Sequence, residues 1–111
     1  MDTMATKQST VDYILDQLAD IPNIKARKMF GEYALYAGGK VVGLICDDTL
    51  FIKITEQGKE ILDKDYKEGF AYPGAKASMK IPDDFLEDRR RLLELVRVTE
   101  KNLPKPKPKK R

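Results

Sequence analysis

The sequence predicts an α+β domain: an antiparallel sheet of four to six strands with helices at the start, middle and end. Three observations carry this. An apolar stripe at helical spacing lies near the N-terminus. The run from Arg27 to Ile54, RKMFGEYALYAGGKVVGLICDDTLFIKI, switches to a period of two and contains two sharp turns. Helical spacing then returns twice before the C-terminus. Two-residue turns between strand runs impose antiparallel neighbours.

In chain order, Val11, Ile14, Leu15 and Leu18 fall at i, i+3, i+4 and i+7. They define a helix that starts at Thr10, with Ser9 or Thr10 as its cap and Asp12 in the first turn. Pro22 and Asn23 end it, and the first strand is expected near Ile24. In the meander the expected core positions are Met29, Tyr33 and Leu35, then Val42, Leu44 and Cys46, then Leu50, Ile52 and Ile54. Gly31 is expected at a bend or bulge, and Gly38-Gly39 and Asp47-Asp48 are the turn signals. Thr55 caps a short helix whose Ile61 and Leu62 face the core. Residues 64–77 are loop-rich, with a brief strand alternation at Phe70 and Tyr72, a Pro73-Gly74 turn, and a strand from Ser78 to Ile81. The last helix opens at Pro82, Asp83 and Asp84 and carries Phe85, Leu92, Leu93 and Val96 to Asn102. Residues 1–8 are expected to be a disordered N-terminus, 9–102 the folded domain, and 103–111 a basic tail. Alternating proline in PKPKPKKR makes that tail an extended arm of up to roughly 25 Å at ~3.1 Å per residue.

A chain of 111 residues suffices for one core and is short for a two-domain enzyme with a cleft. Histidine is absent, which removes the commonest general base and metal ligand and lowers the expectation of catalysis. The single cysteine, Cys46, cannot form an internal disulfide. No apolar run approaches ~18 residues and MDTMATKQST lacks a secretory apolar region, so a cytoplasmic protein with no membrane contact is expected. The net charge is +3, yet Lys105, Lys107, Lys109, Lys110 and Arg111 lie in the last seven residues. Without those five, 16 Lys and Arg face 18 Asp and Glu, so the body carries about −2 and the basicity belongs to the tail.

Met29-Phe30-Gly31, Tyr33, Leu35-Tyr36, the Gly38-Gly39-Lys40 turn, Asp47-Asp48 before Leu50-Phe51-Ile52-Lys53, and later Phe70, Tyr72, Met79 and Pro82 resemble the N-terminal domain of the TfoX/Sxy competence regulators. The resemblance runs from about Ser9 to Lys101. It implies a curved antiparallel sheet similar to secretion-chaperone-like domains. It also implies a non-enzymatic transcriptional coactivator that works beside the cyclic-AMP receptor protein, with no catalytic residues and no cofactor. Full-length regulators carry a second, helical C-terminal domain, and a Lys/Pro tail stands in its place here. The resemblance therefore implies a stand-alone version of the domain, with a protein partner in the transcription machinery.

Each candidate chemistry has a plainer counterpart. Gly38-Gly39 lacks the strand-to-helix setting of a phosphate loop and reads as a hairpin turn. Cys46, between Ile45 and Asp47, reads as a packed strand thiol. Asp47-Asp48 and Asp83-Asp84 read as turn and helix-start residues rather than metal ligands, and no metal site is expected. Arg89, Arg90 and Arg91 span ~200° of helix, so at least one points outward. They are candidate nucleic-acid contacts, with Glu87 and Asp88 as neighbouring acids. Tyr33, Tyr36, Phe51, Phe70 and Tyr72 suit either a core or a stacking platform for single strands. The tail cations Lys105, Lys107, Lys109, Lys110 and Arg111 suit salt-dependent, sequence-blind contact with nucleic acid. The leading expectation is an adaptor with a protein partner and weak nucleic-acid affinity in its tail. A small enzyme acting on RNA or a nucleotide through Glu32, Asp47 or Asp48 is the alternative, and a homodimer is a third arrangement.

Overall fold

The computed structural model describes residues 6–29 and 32–103. The expected bend at Gly31 and the whole of PKPKPKKR lie outside the described residues. The elements are α1 (Gln8–Gln17), β1 (Lys25–Met29), β2 (Glu32–Ala37), β3 (Lys40–Cys46), β4 (Thr49–Ile52), α2 (Glu56–Leu62), β5 (Glu68–Phe70), β6 (Ala77–Lys80), α3 (Asp83–Glu87) and α4 (Arg89–Asn102), with a 3-10 turn at Asp63–Asp65. The strands form one open sheet in the order β1-β2-β3-β4-β6-β5, with every neighbouring pair antiparallel. The fold is α+β, as the sequence predicts. No described helix is long and apolar enough to cross a membrane.

Two hairpin turns set the sheet's register. Gly38 and Gly39 have φ of 60° and 83°, and Asp47 and Asp48 have φ of 51° and 58°. Positive φ at both central residues is the geometry of the type I′ turn, whose twist matches that of the flanking strands. Paired residues share a face. Ala26, Leu35, Gly43, Ile52 and Met79 form one row across five strands, and that row faces the helices. All four helices contribute to the same core: Val11 and Ile14 from α1, Leu62 from α2, Phe85 from α3, and Leu92, Leu95 and Val96 from α4.

Two expectations about the core and one about the last helix need correction. Met29 is 42% exposed, because the β1–β2 reversal falls between Met29 and Tyr33 and counting by twos does not carry across it. Leu44 and Cys46 lie off the core face. A bulge between Leu35/Tyr36 and β3 leaves Val42 as an extra residue, so the period slips and Ile45 enters the core instead. The last helix is two helices. Asp88 (φ −88°, ψ 89°) breaks the run, and its carboxylate accepts from the Arg91 N–H at 3.3 Å, which starts α4 afresh.

The start of α1 also differs from expectation. The helix begins at Gln8, two residues before Thr10, and neither Ser9 nor Thr10 caps it. The cap comes from the β3–β4 turn, where Asp48 Oδ1 accepts from the Lys7 N–H (2.8 Å) and from Thr10 Oγ1 (2.9 Å). Thr6, expected within a disordered N-terminus, is buried. By contrast, Thr55 caps α2 as expected, accepting from the Gly58 N–H at 2.9 Å. At the other end of the chain, Lys40 Nζ donates to the carbonyls of Glu100 (2.6 Å) and Leu103 (2.8 Å) and so closes α4 onto the sheet.

Candidate functional site

The arginine run divides its work. Arg89 donates to the Asp16 carbonyl (3.2 Å) at the C-terminal end of α1 and lies 3.6 Å from the Asp20 carboxylate. Arg91 donates to the Ile61 carbonyl (2.8 Å) on α2, stands 3.9 Å from Asp65, and sits 4.7 Å above the Phe85 ring. These two arginines tie α4 to α1 and α2 through acids distant in sequence, not through Glu87 or Asp88. Arg90 is exposed and has no ion pair among the described residues. It joins Arg97 and Lys101 on the outward ridge of α4, beside an open concavity of about 610 Å³ that Leu93 and Val98 also line. The tail cations Lys105, Lys107, Lys109, Lys110 and Arg111 lie outside the described residues.

The Glu32 and Asp48 carboxylates are occupied in holding the fold. Glu32 Oε1 accepts from the Thr6 N–H (3.1 Å) and from Thr6 Oγ1 (2.5 Å), and its carboxylate also accepts from the Asp47 N–H at 3.3 Å. The Lys7 N–H and the Thr10 hydroxyl hold the Asp48 carboxyl below the usual aspartate range. That shift runs opposite to the one a general acid needs near neutral pH. Among the described residues no group of three or more Cys, Asp or Glu is placed to hold a metal ion. Cys46 is buried, and burial, with Glu32 and Asp47 nearby, pushes its thiol up to about 11, away from nucleophilic reactivity.

The most distinctive surface is the sheet face opposite the helices. Its central row, one residue along from the core row, is Arg27, Ala34, Leu44, Phe51 and Lys80. A cation therefore stands at each end of three apolar residues. The end cations are about 19 Å apart, at ~4.8 Å per strand. Beside this row Lys25 pairs with Tyr36, and the Arg27 guanidinium lies 6.0 Å from the Tyr36 ring centre. Ala34, Cys46 and Phe51 are buried although none belongs to the helix-side core.

The loop after β5 lies beside Cys46 and Phe51. Tyr72 lines three adjoining concavities on this face: about 660 Å³ with Cys46 and Phe51, about 310 Å³ with Met29 and Leu44, and about 570 Å³ with Leu44 and Lys53. Tyr72 stays 55% exposed and Phe70 65% exposed, the two largest exposures among the large apolar side chains described.

A family model, the TfoX N-terminal domain, matches residues 16–102, which is most of the chain and includes all six strands. The chain belongs to the TfoX N-terminal domain family. A similar protein from Spirochaeta aurantia, described as an uncharacterized 12.7 kDa protein in the trpE 5′ region, is 41% identical over 107 residues, covering 96% of this chain and 91% of that protein. The TfoX N-terminal domain is not a known enzyme family.

In this TfoX N-terminal domain the residues that carry the resemblance separate into two groups. Leu35, Leu50, Ile52 and Met79 are core, and Gly38-Gly39 and Asp47-Asp48 are turns. Met29, Tyr36, Phe51 and Tyr72 instead belong to or border the helix-free face, while Phe70, paired with Ala77, lies on the helix side of the edge strand β5. Sequence reasoning names those aromatics but misses the cations that frame them: Lys25, Arg27, Lys53 and Lys80. The signal was present, since each lies next to a core-row or core residue along its strand and so faces the other way.

Proposed function

We propose that this TfoX N-terminal domain is a cytoplasmic, non-enzymatic regulatory module that acts by noncovalent association with a protein of the transcription machinery, while its basic tail adds weak, sequence-blind affinity for nucleic acid. The observation that carries the reading is family membership over residues 16–102. The charge division supports the second half, with a body of about −2 followed by five cations and no acid in the last seven residues. The outward ridge of α4, with Arg90, Glu94, Arg97 and Lys101 around Leu93 and Val98, offers a mixed charged and apolar surface near the root of the tail and suits the protein partner.

Binding of labelled duplex DNA across a salt series tests the tail. Removing Pro104 to Arg111 should lower the affinity and reduce the slope of log affinity against log salt by about four. An unchanged slope removes the nucleic-acid half of the proposal. The protein half is tested by titrating purified RNA polymerase and cyclic-AMP receptor protein with the chain and with Arg97→Glu. Saturable binding weakened by the substitution supports it, and absence of binding to both refutes it.

A further inference from the structure

We infer that the helix-free face of the sheet is a second, independent binding surface, and that its occupant is single-stranded nucleic acid. A base would stack on Tyr72, and phosphates would meet the cations at the rims. Three features of the face select this occupant.

The first is charge. Lys25, Arg27, Lys53, Lys76 and Lys80 are exposed on or beside the face. Its two acids sit together at the β3–β4 end, where Glu32 is already engaged by Thr6 and Asp47. The surface is therefore cationic although the body as a whole is not. Cations about 19 Å apart across the sheet call for a long polyanion, since a mononucleotide or free phosphate cannot span both rims.

The second is the exposed ring of Tyr72. It is more than half exposed beside the apolar Leu44, Cys46 and Phe51 of this face. Leaving such a ring in water wastes apolar burial unless something stacks on it, and an unstacked base presents a π-face to do so. A paired duplex hides those faces, and a flat sheet face does not enter its major groove as a helix does. The third is the composition of the rim. Protein interfaces are depleted of lysine at their centres, whereas here Lys53 lines the same concavity as Leu44 and Tyr72.

The proposal rests on reading the chain as a nucleic-acid-associated regulator, yet it places the contact on the body and not in the tail, so the two fail separately. The test uses the full chain and a full-length variant in which Lys105, Lys107, Lys109, Lys110 and Arg111 are all glutamine. Each is titrated with labelled oligothymidylate of roughly ten nucleotides, within the site sizes of single-strand binders, and with a duplex of equal length, at two salt concentrations.

The tail-neutralised chain should still bind the single strand and should prefer it to the duplex. Tyr72→Ala should weaken single-strand binding between about fivefold and a hundredfold, the range for loss of one stacked base. Tyr72→Phe, which keeps the ring, should stay within about twofold. Tyr13→Ala, at an exposed ring on α1, should have no effect. Replacing both Arg27 and Lys80 by glutamine should lower the salt slope by about 1.4 for two single-strand phosphate contacts.

Loss of all binding on tail neutralisation, or a Tyr72→Ala variant that binds like the parent, overturns the proposal and leaves the tail reading intact. Equal affinity for duplex and single strand overturns the stacking claim. A face that serves a protein instead gives the same null result with the oligonucleotide.

Discussion

Replacing Lys40 by methionine isolates the contact that joins the β2–β3 hairpin to the C-terminal end of α4. Lys40 sits just after the Gly38-Gly39 turn, and its side chain is only 12% exposed. Its ammonium donates to the carbonyls of Glu100 (2.6 Å) and Leu103 (2.8 Å), with the Glu100 carboxylate 3.8 Å away. Methionine keeps a similar apolar stem, so the substitution removes donors and charge while leaving most of the packing. Charge-assisted hydrogen bonds contribute about 1.5–3 kcal/mol each. The freed carbonyls at the helix end recover part of that by turning to water, and the long 3.8 Å ion pair with Glu100 adds less than about 1 kcal/mol.

A net loss of about 2 kcal/mol is expected. At ~2.1 cal/mol/K per residue of unfolding entropy, a domain of this size should melt about 10 °C lower. Thermal denaturation followed by circular dichroism at pH 7 reads this directly. Lys59→Met, which removes an exposed i,i+3 pair with Glu56 at 3.6 Å, should shift the melt by no more than about 2 °C. Amide exchange in the last turn of α4 should accelerate in Lys40→Met before the rest of the domain does. A melt indistinguishable from that of the parent refutes the view that Lys40 pins the C-terminal helix to the sheet.

Gly39→Ala forces a side chain into φ 83° and should cost about 1–2 kcal/mol in urea denaturation, although nothing lies within 4 Å of the added carbon; a neutral result would mean the turn relaxes. Gly58→Ala places a Cβ 2.8 Å from Met79 Cε and 3.2 Å from Leu95 Cδ1, so overpacking of about 1–3 kcal/mol should outweigh the ~1 kcal/mol gain in helix propensity, and a stabilised variant would show slack between α2 and the core. Asp48 has a folded-state pKa below its ordinary 3.8, so it stabilises the fold at pH values above that and the contribution disappears as pH falls through the folded value. Asp48→Asn should therefore be less stable than the parent at pH 7 and converge with it at low pH; parallel curves would deny the link between the turn and α1. With the Cys46 thiol at about 11 rather than 9, native labelling by a thiol reagent at pH 8 should run at least roughly a hundredfold slower than in denaturant, and equal rates would place the thiol at the surface.

The parts of this fold legible in the sequence are those decided locally. Paired glycines and aspartates demand positive φ, so both hairpins follow from four residues. The stripe of Val11, Ile14 and Leu18 can only be a helix face. Contacts distant in the chain were not legible. Nothing near Lys7 announces that Asp48 will cap α1, and Arg89 and Arg91 find Asp20 and Asp65 instead of the acids beside them. The bulge at Val42 has no sequence mark of its own, yet it decides that Ile45 faces the core and that Leu44 and Cys46 face away. The candidate surface was half legible. Its aromatics stand out by type, but Arg27 and Lys80 become its two rims only once the strand order places them at opposite ends of one row.

Amide chemical shifts of the isotopically labelled full chain, recorded while oligothymidylate is added, test most directly whether the helix-free sheet face is a working surface of this domain. Shifts should concentrate at Arg27, Ala34, Leu44, Phe51, Tyr72 and Lys80, with residues of α1 unmoved. Shifts confined to the C-terminal tail and α4, with the sheet rows silent, would contradict that role.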